Sequence, residues 1–168
     1  MRLWTQGGFV ADRYVKAETL DQAPVGGAAL VPLALWRAER AALEVKCASV
    51  AVEIAATKEA PAALAELIDR PMIALAYSKF GDGRAFSYAR LLRARLGYSG
   101  EIRAVGDVLW DEIGYMIRCG FDSFAIQNEP TLRALDSGRK PGVPLAYQPG
   151  LASETHVGKR PWTRALAL

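Results

Sequence analysis

The sequence predicts an α/β protein: a mostly parallel sheet of about five strands with alternating helices, preceded by a short N-terminal β-hairpin. Three observations predict it. Apolar or β-branched runs of strand length recur at residues 28–31, 48–54, 72–77, 101–105 and 123–126. Between them lie stretches with apolar residues at helical spacing, such as Leu64, Leu67 and Ile68. Glycine or proline marks most of the junctions. Strands alternating with helices of this length imply β-α-β units and right-handed crossovers. An open three-layer sheet is the expected arrangement. A partial βα barrel is the alternative, because Met72–Tyr77 alternates bulky and small residues as barrel interiors do.

Taken in order, Arg2–Thr5 and Phe9–Tyr14 read as two strands around Gly7-Gly8, a hairpin signal. Residues 16–27 read as loop. After the run at Ala28, Pro32 suits a first helical turn, and the stretch to Glu44 carries Leu33, Trp36 and Leu43 among Ala, Arg and Glu. Pro61–Asp69 reads as helix. Ala85–Leu96 is a helix with an inner stripe of Ala85, Ala89, Leu92 and Leu96, ended by Gly97. Asp107 suits the N-cap of the next helix, which presents Leu109, Ile113, Met116 and Ile117 on one face and stops at Gly120. A last helix begins at Glu129, with Pro130 in its first turn.

These elements make one domain over residues 1–137. Residues 138–168 are rich in Pro and Gly and read as a basic, extended, at most partly ordered arm. The arm explains the charge. It carries five bases against one acid, while the 168-residue chain totals only +3. Basicity therefore belongs to the arm rather than to a folded patch, which argues against nucleic-acid binding. The apolar stretch Ala28–Trp36 falls short of the roughly 20 residues that span a bilayer, so no membrane is expected. The N-terminus has no apolar secretory region, and a cytoplasmic protein is the expectation. Cys47 and Cys119 are far apart and suit neither a disulfide framework nor a zinc site, so no metal is expected. His156, the one histidine, lies in the arm, away from any Ser-His-Asp or Cys-His system on the body.

Parallel α/β sheets bind ligands beyond the carboxyl ends of their strands. That rim receives Ser78–Arg84, which follows a buried run and opens a helix. Lys79, Asp82, Gly83 and Arg84 form the candidate anion site. The glycines permit close backbone approach, the helix N-terminus offers free N–H groups, and the two bases add charge. The competing reading is a well-capped loop with solvated bases. The segment lacks both the Walker ending and the dinucleotide glycine fingerprint. Asp107, Arg103 and Arg90 are candidates for a second site. Arg103 and Glu53 each sit inside a strand and must face solvent or find a partner; two solvated edge residues are the simpler expectation. Arg118–Asp122 falls on the opposite rim and reads as a helix end, a glycine cap and a turn.

The runs Lys79-Phe80-x-Asp82-Gly83-Arg84, Tyr88-x-Arg90-Leu91-Leu92-Arg93, Gly100–Leu109, Arg118–Asp122 and Ala146–Pro149 together resemble domain-of-unknown-function family 934, a bacterial family. The likeness covers roughly residues 1–149. Two departures stand out: Gly81 where a larger polar residue is expected, and an arm running past Gly150. The resemblance implies an accessory role in assimilatory sulfite reduction, since members are typically encoded beside sulfite reductase and are sometimes labelled oxidoreductases. No catalytic residue comes with it, and the cofactor is left open. The leading expectation is a protein that binds the reductase or a small anion at the carboxyl rim. The alternatives are an enzyme acting on a small anionic metabolite, with or without a nicotinamide or flavin cofactor, and a structural partner with no small ligand.

Overall fold

The computed structural model describes residues 1–57, 60–77 and 83–142. Among the described residues eight strands appear: β1 (Arg2–Thr5), β2 (Gly8–Val10), β3 (Tyr14–Lys16), β4 (Ala28–Pro32), β5 (Ser49–Ala55), β6 (Met72–Tyr77), β7 (Glu101–Gly106) and β8 (Ser123–Ile126). The helices are α1 (Leu33–Lys46), α2 (Ala60–Leu64, continued by a 3₁₀ turn over Ala65–Leu67), α3 (Arg84–Ala94), α4 (Trp110–Cys119) and α5 (Glu129–Asp136).

All eight strands form one mixed sheet in the order β2-β1-β8-β7-β6-β5-β4-β3. It is larger than the expected five strands. β3 through β8 pair in parallel, whereas β1 is antiparallel to both β2 and β8. The strand expected over Phe9–Tyr14 is two strands at opposite edges of the sheet, joined by residues 11–13.

That connection dictates the shape. Seven strand spacings in a flat sheet would separate the edges by about 34 Å. Val10 and Tyr14 are four residues apart, a reach of about 14 Å at most. The sheet must therefore curl until its edges meet. β2 and β3 run in the same direction, so residues 8–16 act as one extended segment that leaves β1 and joins β4.

The crossovers explain the layers. From β4 to β8 each strand lies beside its predecessor, so successive right-handed connections place every helix on the same side. The main core accordingly joins alternate strand residues Val31, Val52, Leu75, Ala104 and Phe124 to helical Trp36, Leu64, Leu92, Met116 and Leu132. The other alternates, Leu30, Ala51, Met72, Ala74, Val105 and Ala125, form a second, smaller cluster with Tyr14. This is the concave face, where small residues make room for the curl. An open three-layer sheet would need helices on both faces, and the structure replaces it with helices outside a curled sheet. That is nearer to the barrel alternative.

Most boundaries fall within two residues of expectation, and β6 and β8 match their runs. Two local readings change. Pro32 ends β4 and precedes α1 instead of sitting inside it. Asp107 is not an N-cap: Leu109 holds that place, in extended conformation, and α4 starts at Trp110. The chain turns after β7, with Val108 N bonded to the carbonyl of Gly106 and the Val108 side chain fully buried in the main core, so the helix starts later.

Gly106 ends β7 with φ 96°, and a Cβ there would run into the carbonyl oxygen of Tyr77 on β6. Gly8 has φ 116° but open space around it. Both Gly106→Ala and Gly8→Ala incur the left-handed penalty of about 1–2 kcal/mol, and only Gly106→Ala must also push two strands apart. Urea denaturation should show Gly106→Ala costing about 3 kcal/mol or more and Gly8→Ala about 1 kcal/mol. Equal losses would contradict this reading of the β6–β7 junction.

Candidate functional site

The register Tyr77↔Gly106 sets the ends of β6 and β7 side by side. The start of α3 and the segment after β7 therefore share the carboxyl rim. Of the candidate anion site, Gly83 and Arg84 are described and both are exposed, Gly83 as the N-cap of α3 in helical conformation. Lys79 and Asp82 lie outside the described residues. Asp107 is exposed on the same rim. Beside it, Asp111 and Glu112 occupy the first turn of α4. Burial pushes the Glu112 carboxyl up from its ordinary value, and the charges of Asp111 and Asp107 add to the shift. The described rim thus carries Arg84 on one helix, two carboxylates in the first turn of the next and Asp107 just before it.

The other candidates for a second site are dispersed. Arg90 is exposed on α3, roughly 9 Å along the helix from Arg84. Its charge is felt at Cys119, at the far end of α4. Arg103 lies about 13 Å back along β7 from Asp107.

Arg103 is not a solvated edge residue. Its side chain is 2% exposed, at the centre of the concave face. Nη1 donates to both carboxylate oxygens of Asp12, at 2.9 and 2.8 Å. Nε and Nη2 donate to Glu101 Oε1 at 3.0 and 2.9 Å, and Nε also reaches Ser123 Oγ. The guanidinium lies 5.4 Å from the centre of the Tyr14 ring. Ser123 Oγ in turn donates to Glu101. Glu53 does not take part: Lys16 Nζ binds it, at 3.0 Å. The signal for this cluster was present, since Glu101 and Arg103 at i, i+2 share a strand face. Asp12 was invisible as a partner because it lies 91 residues away and meets Arg103 only through the curl.

Beside this cluster is a cavity of about 330 Å³. Leu3, Val10 and Ala11 line it together with Arg13, Glu101, Asp122, Arg103 and Ser123. It opens at the amino ends of β7 and β8, opposite the expected rim.

A second arginine organises the same end. Arg93 Nε donates to the carbonyl of Gly120, Nη1 to those of Tyr98 and Gly100, and Nη2 to Asp122. Asp122 Oδ2 also accepts from Ile102 N. One side chain thereby ties the end of α3 to both turns that enter β7 and β8. Gly120 is required there: its φ is 104° and a Cβ would meet Arg93 Cγ at 2.6 Å. The Arg118–Asp122 motif is a structural turn, as its place in the chain suggested. Cys119 is 1% exposed, and burial raises its thiol pKa, as burial does for Cys47. Neither is a poised nucleophile. Among the described residues no group of three or more His, Cys, Asp or Glu is placed to hold a metal ion. No helix among them is long and apolar enough to cross a membrane. His156 lies outside the described residues.

The residues that organise both rims, Arg84, Arg93, Gly106, Gly120 and Asp122, fall inside one match. Residues 51–157 match the model of a bacterial protein family of unknown function, DUF934. The chain belongs to this family. The match covers Arg93, Arg103 and the rim after β7 of this DUF934 protein, and leaves Asp12 and Tyr14 before it. No curated protein and no solved structure matches the chain.

In this DUF934 protein the raised Glu112 gives a pH test. A carboxyl whose folded pKa lies above its unfolded value stabilises the fold when protonated. That contribution is complete below the unfolded pKa of about 4.3 and is lost as pH rises through the folded value. Glu112→Gln should therefore raise Tm at pH 7, with the gain shrinking toward zero by about pH 4. A gain independent of pH would show that Glu112 is not held above its ordinary range.

Proposed function

We propose that the protein is an accessory factor of assimilatory sulfite reduction that docks on the reductase through the carboxyl rim of its sheet. The association with sulfite reduction rests on the signature over Lys79–Arg93 and Gly100–Asp122. The choice of a protein partner over a small free anion rests on one observation. Arg84 shares its rim with Asp107, Asp111 and Glu112, so a small anion held there would sit on a rim that also carries three carboxylates. A charged surface of both signs suits a protein face with a complementary pattern. Lys79 and Asp82 extend the surface by sequence, and the two buried cysteines leave no exposed thiol for covalent chemistry among the described residues.

Co-purification tests the reading. Tagged full-length protein should retain sulfite reductase from a lysate of the organism's own cells, at ionic strength near 0.1 M and less at 0.5 M, as for rim charges screened by salt. Exchanging signs, with Lys79→Glu and Arg84→Glu together, should remove the reductase while the protein still unfolds cooperatively. Retention unaffected by the exchange would remove this rim from the interface. Failure to retain the reductase at either salt concentration, with the protein folded, would overturn the proposal.

A further inference from the structure

The cavity at the amino end of β7 and β8 lies on the rim that the docking surface does not use. We infer that it is a binding site for a small zwitterion, of the class of α-amino acids with an apolar side chain. The inference does not depend on the carboxyl-rim reading.

The charges decide the class. Arg103 is matched by Asp12 and Glu101, which leaves this buried group one negative charge in excess. Asp122 is matched by Arg93. Arg13, which lines the cavity, adds one positive charge, and its hydrogen bond goes only from Nη2 to Tyr14 Oη among the described residues. A simple anion would meet the excess charge at Glu101, and a simple cation would meet Arg13. A ligand with both signs satisfies both walls.

The hydrogen bonds point the same way. Glu101 Oε1 is taken by Arg103 and Ser123, and Asp122 Oδ2 by Arg93 and Ile102 N. The bonds of the described residues leave the second oxygen of each carboxylate, and Nε and Nη1 of Arg13, available to a ligand. Arg13 and Arg103 lie 5.0 and 5.4 Å from the centre of one Tyr14 ring, so the cationic and acidic walls stand within the length of one small molecule. Leu3, Val10 and Ala11 supply an apolar strip for a hydrocarbon side chain. A volume of about 330 Å³ accommodates a molecule of that size. The acidic wall cannot swing away, because Glu101 is fixed by a buried guanidinium and Asp122 by the Arg93 clamp.

Isothermal titration of the full chain with L-valine, isovalerate and isobutylamine tests this, since the last two each lack one charged group of valine. L-valine should bind saturably, about tenfold or more tighter than either half, as expected for one added charge-assisted hydrogen bond. Arg13→Ala should weaken L-valine by about tenfold and leave isobutylamine unchanged. Val10→Trp, which fills the cavity from a half-exposed position, should abolish binding with Tm preserved. Isovalerate binding as tightly as L-valine would make the site an anion site and overturn the assignment. So would the absence of saturable binding by any of the standard amino acids up to about 20 mM, or L-valine binding indifferent to both substitutions.

Discussion

A guanidinium buried at the centre of a curled sheet is the constraint on which this structure turns. Removing the Arg103 charge from water costs several kcal/mol unless it is closely paired. The strands of the sheet supply only part of that pairing. Glu101 and Ser123 come from its own and the neighbouring strand, but the second carboxylate, Asp12, comes from the segment joining the two edges of the sheet. Holding Asp12 against Arg103 therefore holds the edges together. Tyr14 closes over the same group, with its backbone N–H donating to Asp12 Oδ1. Alanines at 51, 74 and 125 leave space for these side chains on the concave face.

The two ends of the sheet are built differently. At the amino end, Arg93 fastens three loop carbonyls and Asp122, and Tyr98 donates to the carbonyl of Arg70, so the turns entering β6, β7 and β8 are cross-linked by side chains. Burial raises the Tyr98 phenol and keeps it a neutral donor. The carboxyl end holds its charges on the surface, in the first turns of α3 and α4. A rigid, partly enclosed end suits a small ligand, and an open charged end suits a protein partner. The arm expected after residue 137 begins on the same open side of α4. Arg139 lies over Trp110, and Gly142 packs against Gly114, where a side chain on either residue would separate them.

Local elements were legible because their signals are local. Continuous apolar runs mark β6 and β8, and Gly120 ends α4 as expected, in the left-handed conformation. What escaped was long-range. The split of residues 8–16 between two edges depends on closure, which no periodicity reports. The late start of α4 depends on where Val108 packs. The rim rule for parallel sheets directed attention to Lys79–Arg84, yet the buried charge lies inside the concave face and the cavity at the opposite end. A charged residue in mid-strand with an opposite charge two positions away was the available clue, and weighing Arg103 only against Glu53 or solvent concealed it.

The central claim is that Asp12 and Arg103 are coupled across the sheet, and a double-mutant cycle measures that coupling directly. Asp12→Ala, Arg103→Met and the pair would be compared by urea denaturation. The account predicts a coupling energy of about 1.5 kcal/mol or more, with the double variant less destabilised than the sum of the single variants. Additivity within about 0.5 kcal/mol would contradict it, because the two residues would then contribute independently and the sheet would not be closed by their contact.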